Sequence, residues 1–236
     1  NRYNVSSIKL SMTVANELRK NSKKKSSYAS NKIEGNPLSE KQVDEVIEND
    51  ERKHFLKPEQ EVRNYFLALN YLEEKAGKKE KFSKKLILDV QKLVEKGASK
   101  EKIGLRGPMP PGVLFAVYDS KSGNPDYIPP EYCDIPELLD ELVEYVNTTD
   151  DHPLIVAAVV HYQLVTIHPF EDGNGRTGRL IINYELIKNN LPPVVITKED
   201  RVKYFEFLRN KDVENFAKWL EELSDKEKER INNFII

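Results

Sequence analysis

Little in this sequence supports covalent cross-linking. It holds one cysteine, Cys133, among 236 residues, which excludes an internal disulfide and removes Cys-rich zinc and iron–sulfur sites. A single thiol fits a reducing compartment, and Cys133 itself reads as inert packing. Long apolar runs are missing too. The longest, Leu154 to Val160, falls far short of the roughly 20 residues that a membrane span needs. Asn1-Arg2-Tyr3-Asn4 shows neither an apolar signal core nor a small-residue cleavage site, so the expected location is the cytoplasm. Neither sign of charge is in excess: 37 Lys and Arg against 39 Asp and Glu leave a formal −2, with no global pull toward nucleic acid or an anionic membrane. Internal repeats are absent.

What is present suits a folded domain. Hydrophobic residues make up 39% and charged residues 32% of the chain, and a chain of this length buries roughly 70% of its unfolded surface. That size predicts one domain with room for a small appendage. Most segments repeat apolar residues every 3.6 positions, so the expected fold is mainly helical. Ser39 to Gln42 has capping-box form ahead of Val43, Val46 and Ile47. A stripe of Val62, Phe66, Leu69 and Leu72 follows Pro58. Ser83 caps a second stripe of Leu86, Val90 and Leu93 that stops at Gly97. Pro136 opens a helix with Leu138, Leu139, Leu142 and Val146 on its buried face. Thr197 and Ser224 read as N-caps of later helices, with Trp219 and Leu220 as buried anchors. Asp225 to Arg230 reads as a solvated helix face and Lys23-Lys24-Lys25 as a solvated turn. The strand formers Val113 to Tyr118 and Tyr127-Ile128, around a turn at 119–124, predict one β-hairpin. An isolated hairpin needs the helical body or another chain to complete it.

The chemistry concentrates in His168-Pro169-Phe170-Glu171-Asp172-Gly173-Asn174-Gly175-Arg176-Thr177-Gly178-Arg179. Upstream, Asp151 and Pro153 start an apolar helix that Pro169 must end. Downstream, Leu180, Ile181, Tyr184 and Ile187 mark a second buried helix. Gly173, Asn174 and Gly175 can turn successive backbone N–H groups toward one point at the start of that helix, which predicts an anion nest. Arg176 and Arg179 stand in its first turn. Cations there oppose the helix macrodipole, so an anion is expected to compensate them, and several phosphates fit. Asp172 beside bound phosphates is the usual carboxylate of a Mg²⁺ or Mn²⁺ site. His168 can accept a proton from a hydroxyl near neutral pH. His161, on the apolar face of its helix, reads as a hydrogen-bonded core residue.

These residues resemble the motif of the Fic family: His, Pro, Phe, any residue, Asp or Glu, Gly, Asn, Gly, Arg, two spacers, Arg, without a departure. The resemblance implies a Fic-like helical bundle with one β-hairpin flap. It implies transfer of AMP from ATP to a Tyr, Ser or Thr hydroxyl of a target protein, and to the chain itself. His168 would be the general base, Asp172 the metal ligand, Gly173, Asn174 and Gly175 the α-phosphate anion hole, and Arg176 and Arg179 the β- and γ-phosphate clamps. Phe170 would anchor the loop. The flap at 113–128 would dock the target by strand addition. Tyr204 and Asn210 fall where the family borders its adenine pocket, although Tyr204 reads equally as core packing. Ser30-Asn31-Lys32-Ile33-Glu34-Gly35 is similar to the family's N-terminal inhibitory motif, whose Glu34 would take the γ-phosphate's place on Arg179. The expected organisation is an N-terminal segment 1–57 with the inhibitory helix at about 27–35, a core at 58–223 and a C-terminal helix at 224–236. Removal of AMP by hydrolysis at the same site, or transfer of another phosphate-bearing group, stays open, as does a homo-oligomer. Nucleic acid and membrane are not expected partners.

Overall fold

The computed structural model describes residues 12–49, 51–99, 102–119 and 122–235. The first four residues and Ser120-Lys121 of the hairpin turn lie outside that range. Among the described residues the fold is mainly helical, as expected: α1 (Met12–Ile33), α2 (Glu40–Glu48), α3 (Lys57–Gly77), α4 (Lys84–Glu95), α5 (Ile135–Thr148), α6 (Pro153–Ile167), α7 (Asn174–Lys188), α8 (Arg201–Arg209) and α9 (Val213–Ile235). No helix among them is long and apolar enough to cross a membrane.

The helices form where their caps and stripes place them. Ser39 and Gln42 close the capping box of α2, and Ser83 caps α4 by accepting from Leu86 N. α7 lies at the centre, packed by α3, α4 and α6, and this burial on several sides explains its nearly continuous run of buried residues from Arg176 to Leu186. One core gathers Leu72, Ile87, Val90, Leu139, Leu164 and Leu180 around it. A second seats Trp219 and Leu220 with Tyr204, Phe216 and Leu186 under α8 and α9.

Four local expectations are corrected. Lys23-Lys24-Lys25 is no turn; it lies inside α1, where Lys23 pairs with Glu73 at 2.9 Å and Lys24 with Glu48 at 2.5 Å. Ser224 caps nothing, because α9 runs unbroken through it and its hydroxyl donates to Pro192 O at 2.9 Å. Thr197 gives way to Asp200 as the N-cap of α8, and its hydroxyl donates to that carboxylate at 2.9 Å. Cys133 is exposed.

The hairpin is real but short. β1 (Val117–Tyr118) pairs antiparallel with β2 (Pro125–Tyr127), Val117 opposite Tyr127. Pro129 and Pro130 lack the N–H groups that would extend the returning strand, so Val113 and Leu114 remain unladdered and exposed.

Candidate active site

The motif loop spans the C-terminus of α6 and the N-terminus of α7. His168 is the C-cap of α6 in the left-handed region, φ 49 and ψ 60. Phe170 is buried, and the loop closes on it. Asn174 Oδ1 accepts from Phe170 N at 3.0 Å, and Asn174 Nδ2 donates to Phe170 O at 2.8 Å. The side chain of Asn174 is therefore used up inside the loop, and only its backbone faces the expected anion position at the start of α7. Three successive positive φ angles are not found. Gly173 alone has one, +80, whereas Gly175 is helical. Gly175 serves close approach instead: a Cβ there would stand 2.6 Å from Glu34 Oε1 and 3.0 Å from Arg179 Nη1.

The two arginines each meet an acid. Arg176 Nη2 donates to Glu95 Oε1 at 2.7 Å and to Asp172 Oδ1 at 3.2 Å. Glu95 is 1% exposed; burial raises its carboxyl, with Arg176 opposing. Asp172 also accepts from Gly173 N at 2.8 Å and faces Lys102 Nζ at 3.3 Å. Burial alone would raise this carboxyl too, but Arg176, the Gly173 N–H and Lys102 outweigh it and hold it below its usual range. Gln91 joins the strip before the hairpin to the loop, donating to Lys102 O at 2.8 Å and to Asp172 O at 3.3 Å.

Arg179 is 4% exposed and meets four acceptors. Its Nη2 donates to Glu34 Oε1 at 2.6 Å and to Ser30 O at 3.2 Å, its Nε to Ser30 Oγ at 2.8 Å, and its Nη1 to Tyr204 Oη at 3.4 Å. Burial opposes the charge, yet Glu34, with the Tyr204 and Tyr65 hydroxyls, keeps this guanidinium above its ordinary pKa. Glu34 is held in place by a Schellman turn at the end of α1: Asn36 N donates to Asn31 O at 3.0 Å and Gly35 N to Lys32 O at 3.1 Å, with Gly35 at φ +87. Tyr204 is buried and bonded at 2.6 Å to His161 Nε2, so the core-packing reading of Tyr204 and the hydrogen-bonded core reading of His161 meet in one pair. Asn210 is the exposed C-cap of α8 and makes no side-chain bond to the loop.

His168 sits under the hairpin, its ring centroid 5.7 Å from that of Phe115 and 6.4 Å from that of Tyr127. Burial first, and the charge of Arg106 second, push its pKa down to about 4, so it is neutral at physiological pH. Its carbonyl accepts from Arg106 Nε at 2.7 Å. Glu95 and Arg106 were not singled out from the sequence. Glu95 left a readable signal, since Gln91 and Glu95 fall at i+4 and i+8 from Ile87, on the buried face of α4. Arg106 left none.

An apolar pair of helices presenting a glycine-opened helix N-terminus, two acid-paired arginines, a half-buried carboxylate and a neutral histidine defines a class: a helical protein built around one charged loop. Residues 81–186 match the model of the Fic/DOC family, and the chain carries a domain of that family. It is 30% identical over 209 residues to the protein adenylyltransferase Fic of Drosophila virilis, a match that takes in 84% of this chain and 40% of that one. The chain thus spans about two fifths of the length of that relative. A Fic-domain-containing signaling protein from Bacteroides thetaiotaomicron has the same fold, with a TM-score of 0.78 at 22% identity over 92% of this chain and 89% of that one. Fic-1 from C. elegans superposes with a TM-score of 0.76 at 24% identity, over 96% of this chain and 66% of that one.

Proposed function

We propose that this chain is a protein adenylyltransferase restrained by its own α1. It would join AMP from ATP to a side-chain hydroxyl of a protein, itself included. The acceptor oxygen bonds to the α-phosphorus, the bond to the leaving pyrophosphate breaks, and the hydroxyl proton passes to an imidazole nitrogen of His168. The backbone at Gly173, Asn174 and Gly175, at the positive end of α7, receives the α-phosphate. Arg176 and Arg179 receive the phosphates beyond it. Tyr204 and Asn210 would border the adenine, Tyr204 from its place beside Arg179.

The donor set suits a nucleotide-borne Mg²⁺ or Mn²⁺. Among the described residues no three acidic, histidine or cysteine side chains converge on one point, so Asp172 would contribute one carboxylate and the phosphates and water the rest. Such an ion supplies charge neutralisation to the departing pyrophosphate. The target's segment would dock along the hairpin at 113–128.

The observation that carries this reading is the Arg179–Glu34 pair at 2.6 Å. A guanidinium that binds a carboxylate of the same chain cannot give the same fork to a γ-phosphate, and a triphosphate displaced by about 1 Å loses roughly a hundredfold in rate. The test incubates wild type, Glu34→Gly and Glu34→Gly with His168→Ala in Mg²⁺ and ATP labelled at the α-phosphate. A His168→Ala copy of the chain serves as acceptor. Label should enter protein strongly with Glu34→Gly alone; equal labelling by all three would overturn the reading. Hydrolytic removal of AMP is the second reading. It is favoured by the 40% exposure of the Glu34 side chain, which leaves it open to water beside the motif loop.

A further inference from the structure

Arg106 is a buried cation, 5% exposed, that pairs with no carboxylate among the described residues. Its guanidinium meets carbonyls instead. Nε donates to His168 O at 2.7 Å, and Nη2 donates to Ile167 O at 3.4 Å and to Pro130 O. Its own backbone N donates to Pro169 O at 2.9 Å, and Leu105 bridges Phe170 beside it. The planar group also stacks over the Phe115 ring at 4.7 Å, and that ring in turn faces His168.

Two of these carbonyls are end groups of α6, which have no partner within the helix and carry the negative end of its dipole. A guanidinium there compensates its burial without an acid. The third, Pro130 O, belongs to the chain returning from the hairpin. A fork with donors fixed in one plane can hold all three at once; a lysine ammonium on a flexible stem cannot reproduce that geometry.

We propose that Arg106 is a positioning residue for the transfer reaction proposed above, and the inference rests on that reading. One guanidinium holds His168 in the left-handed backbone conformation, which non-glycine residues adopt only at a cost, and ties the hairpin to the same loop. The proton acceptor and the docked hydroxyl are thereby aligned as one unit. The charge acts as well. The groups facing His168 are Arg106 from the strip before the hairpin, Asp172 from the motif loop, Glu34 from α1 and the Tyr127 phenol from the hairpin. Of these only Arg106 opposes protonation of the ring among the charged side chains.

The test compares Arg106→Gln and Arg106→Lys with Arg106 in the Glu34→Gly background, with the His168→Ala copy as acceptor. The KM for ATP should stay within about twofold, while kcat should fall roughly a hundredfold in both variants and the KM for the acceptor should rise. A second readout needs no activity: the His168 ring is titrated by NMR in protein with ¹³C-labelled histidine, assigned by His168→Gln. Its midpoint, about 4 with Arg106, should rise in Arg106→Gln and stay low in Arg106→Lys. It should stop short of 6.5 because burial remains. Wild-type kcat in both variants, an unmoved midpoint in Arg106→Gln, or ATP binding lost in proportion to kcat overturns the proposal. If Glu34→Gly with Arg106 intact transfers nothing, the transfer reading itself fails, and the titration still decides whether Arg106 governs His168.

Discussion

Glu95 and Arg176 form an ion pair at 2.7 Å with both side chains almost wholly removed from water. The pair joins the end of α4 to the first turn of α7, and a Cβ on Gly173 would lie only 2.7 Å from Glu95 Oε1. Arg176 is thus anchored on one side before any phosphate arrives, with its Nε left without a partner.

Removing one member of a buried pair strands the other charge, which typically costs about 3–5 kcal/mol. Glu95→Ala should destabilise by that amount, and Glu95→Gln by less because its carbonyl can still accept from Nη2. Urea denaturation checks both. If Glu95→Ala costs under about 1 kcal/mol, the pair contributes no more than an exposed surface bridge.

Gly178 sets two effects against each other. In a helix interior alanine is preferred to glycine by roughly 1 kcal/mol. A Cβ at Gly178, however, would stand 2.7 Å from His161 Nδ1 and 2.9 Å from its Cε1. The ring cannot yield easily, being fully buried and bonded to Tyr204, and overpacking of this kind costs about 1–3 kcal/mol. Gly178→Ala should therefore lower the melting temperature, with a net loss of up to about 2 kcal/mol. A more stable variant would mean that α6 and α7 have room to separate.

Two buried histidines make stability fall on the acid side. Burial pushes His161 down to about 3 and His168 to about 4, whereas both titrate near 6.5 when unfolded. Between those values the unfolded chain binds more protons than the folded one, so stability is intact above about pH 6.5 and is lost as pH falls toward 4. Each histidine contributes a slope of at most about 1.4 kcal/mol per pH unit. His168→Gln should flatten the pH dependence of denaturation in that window, while changes common to both proteins cancel in the difference. Parallel curves for wild type and variant would place His168 in water. By the same sign, transfer activity should persist below pH 6 and decline only near pH 4.

The motif loop was legible because its instructions are local: proline ends α6, a glycine opens α7, and the polar residues lie within twelve positions. The stripes of α2, α3 and α4 were legible for the same reason, with Ser39 and Ser83 as their caps. α1 was not. Its basic sequence carries no continuous apolar stripe, and what holds it are Glu48, Glu73 and Glu227 on α2, α3 and α9, together with buried residues such as Leu18, Ala29 and Ile33 and the bonds of Ser30 to Arg179 on α7. Ser224 was misread because a hydroxyl inside a helix can serve a distant carbonyl as readily as its own backbone. The carbonyls that the Arg106 guanidinium holds lie 24 to 62 positions away in sequence, and no period or cap encodes them.

Ser30 and Glu34 grip the same guanidinium from different environments, and this separates their effects on stability and on activity. Ser30 is buried, and its hydroxyl accepts from Arg179 Nε; Ser30→Ala leaves that donor unpaired away from water, at a cost of about 1–3 kcal/mol. Arg179 is itself buried, but Glu34→Ala does not strand it: the guanidinium keeps its bonds to Ser30 Oγ, Ser30 O and Tyr204 Oη, and water takes the place of a side chain that is 40% exposed, so the substitution should cost only about 0–1 kcal/mol. Activity should rank the other way. Glu34 occupies the position proposed for the γ-phosphate, whereas Ser30→Ala leaves that carboxylate on Arg179 and only loosens α1. Glu34→Ala should therefore raise incorporation of α-labelled AMP more than Ser30→Ala while melting at a higher temperature. Both variants need only a melting curve and a labelling assay side by side. If the two substitutions rank in the same order in both measurements, α1 restrains the site by its packing alone, and the charge competition at Arg179 is not the brake.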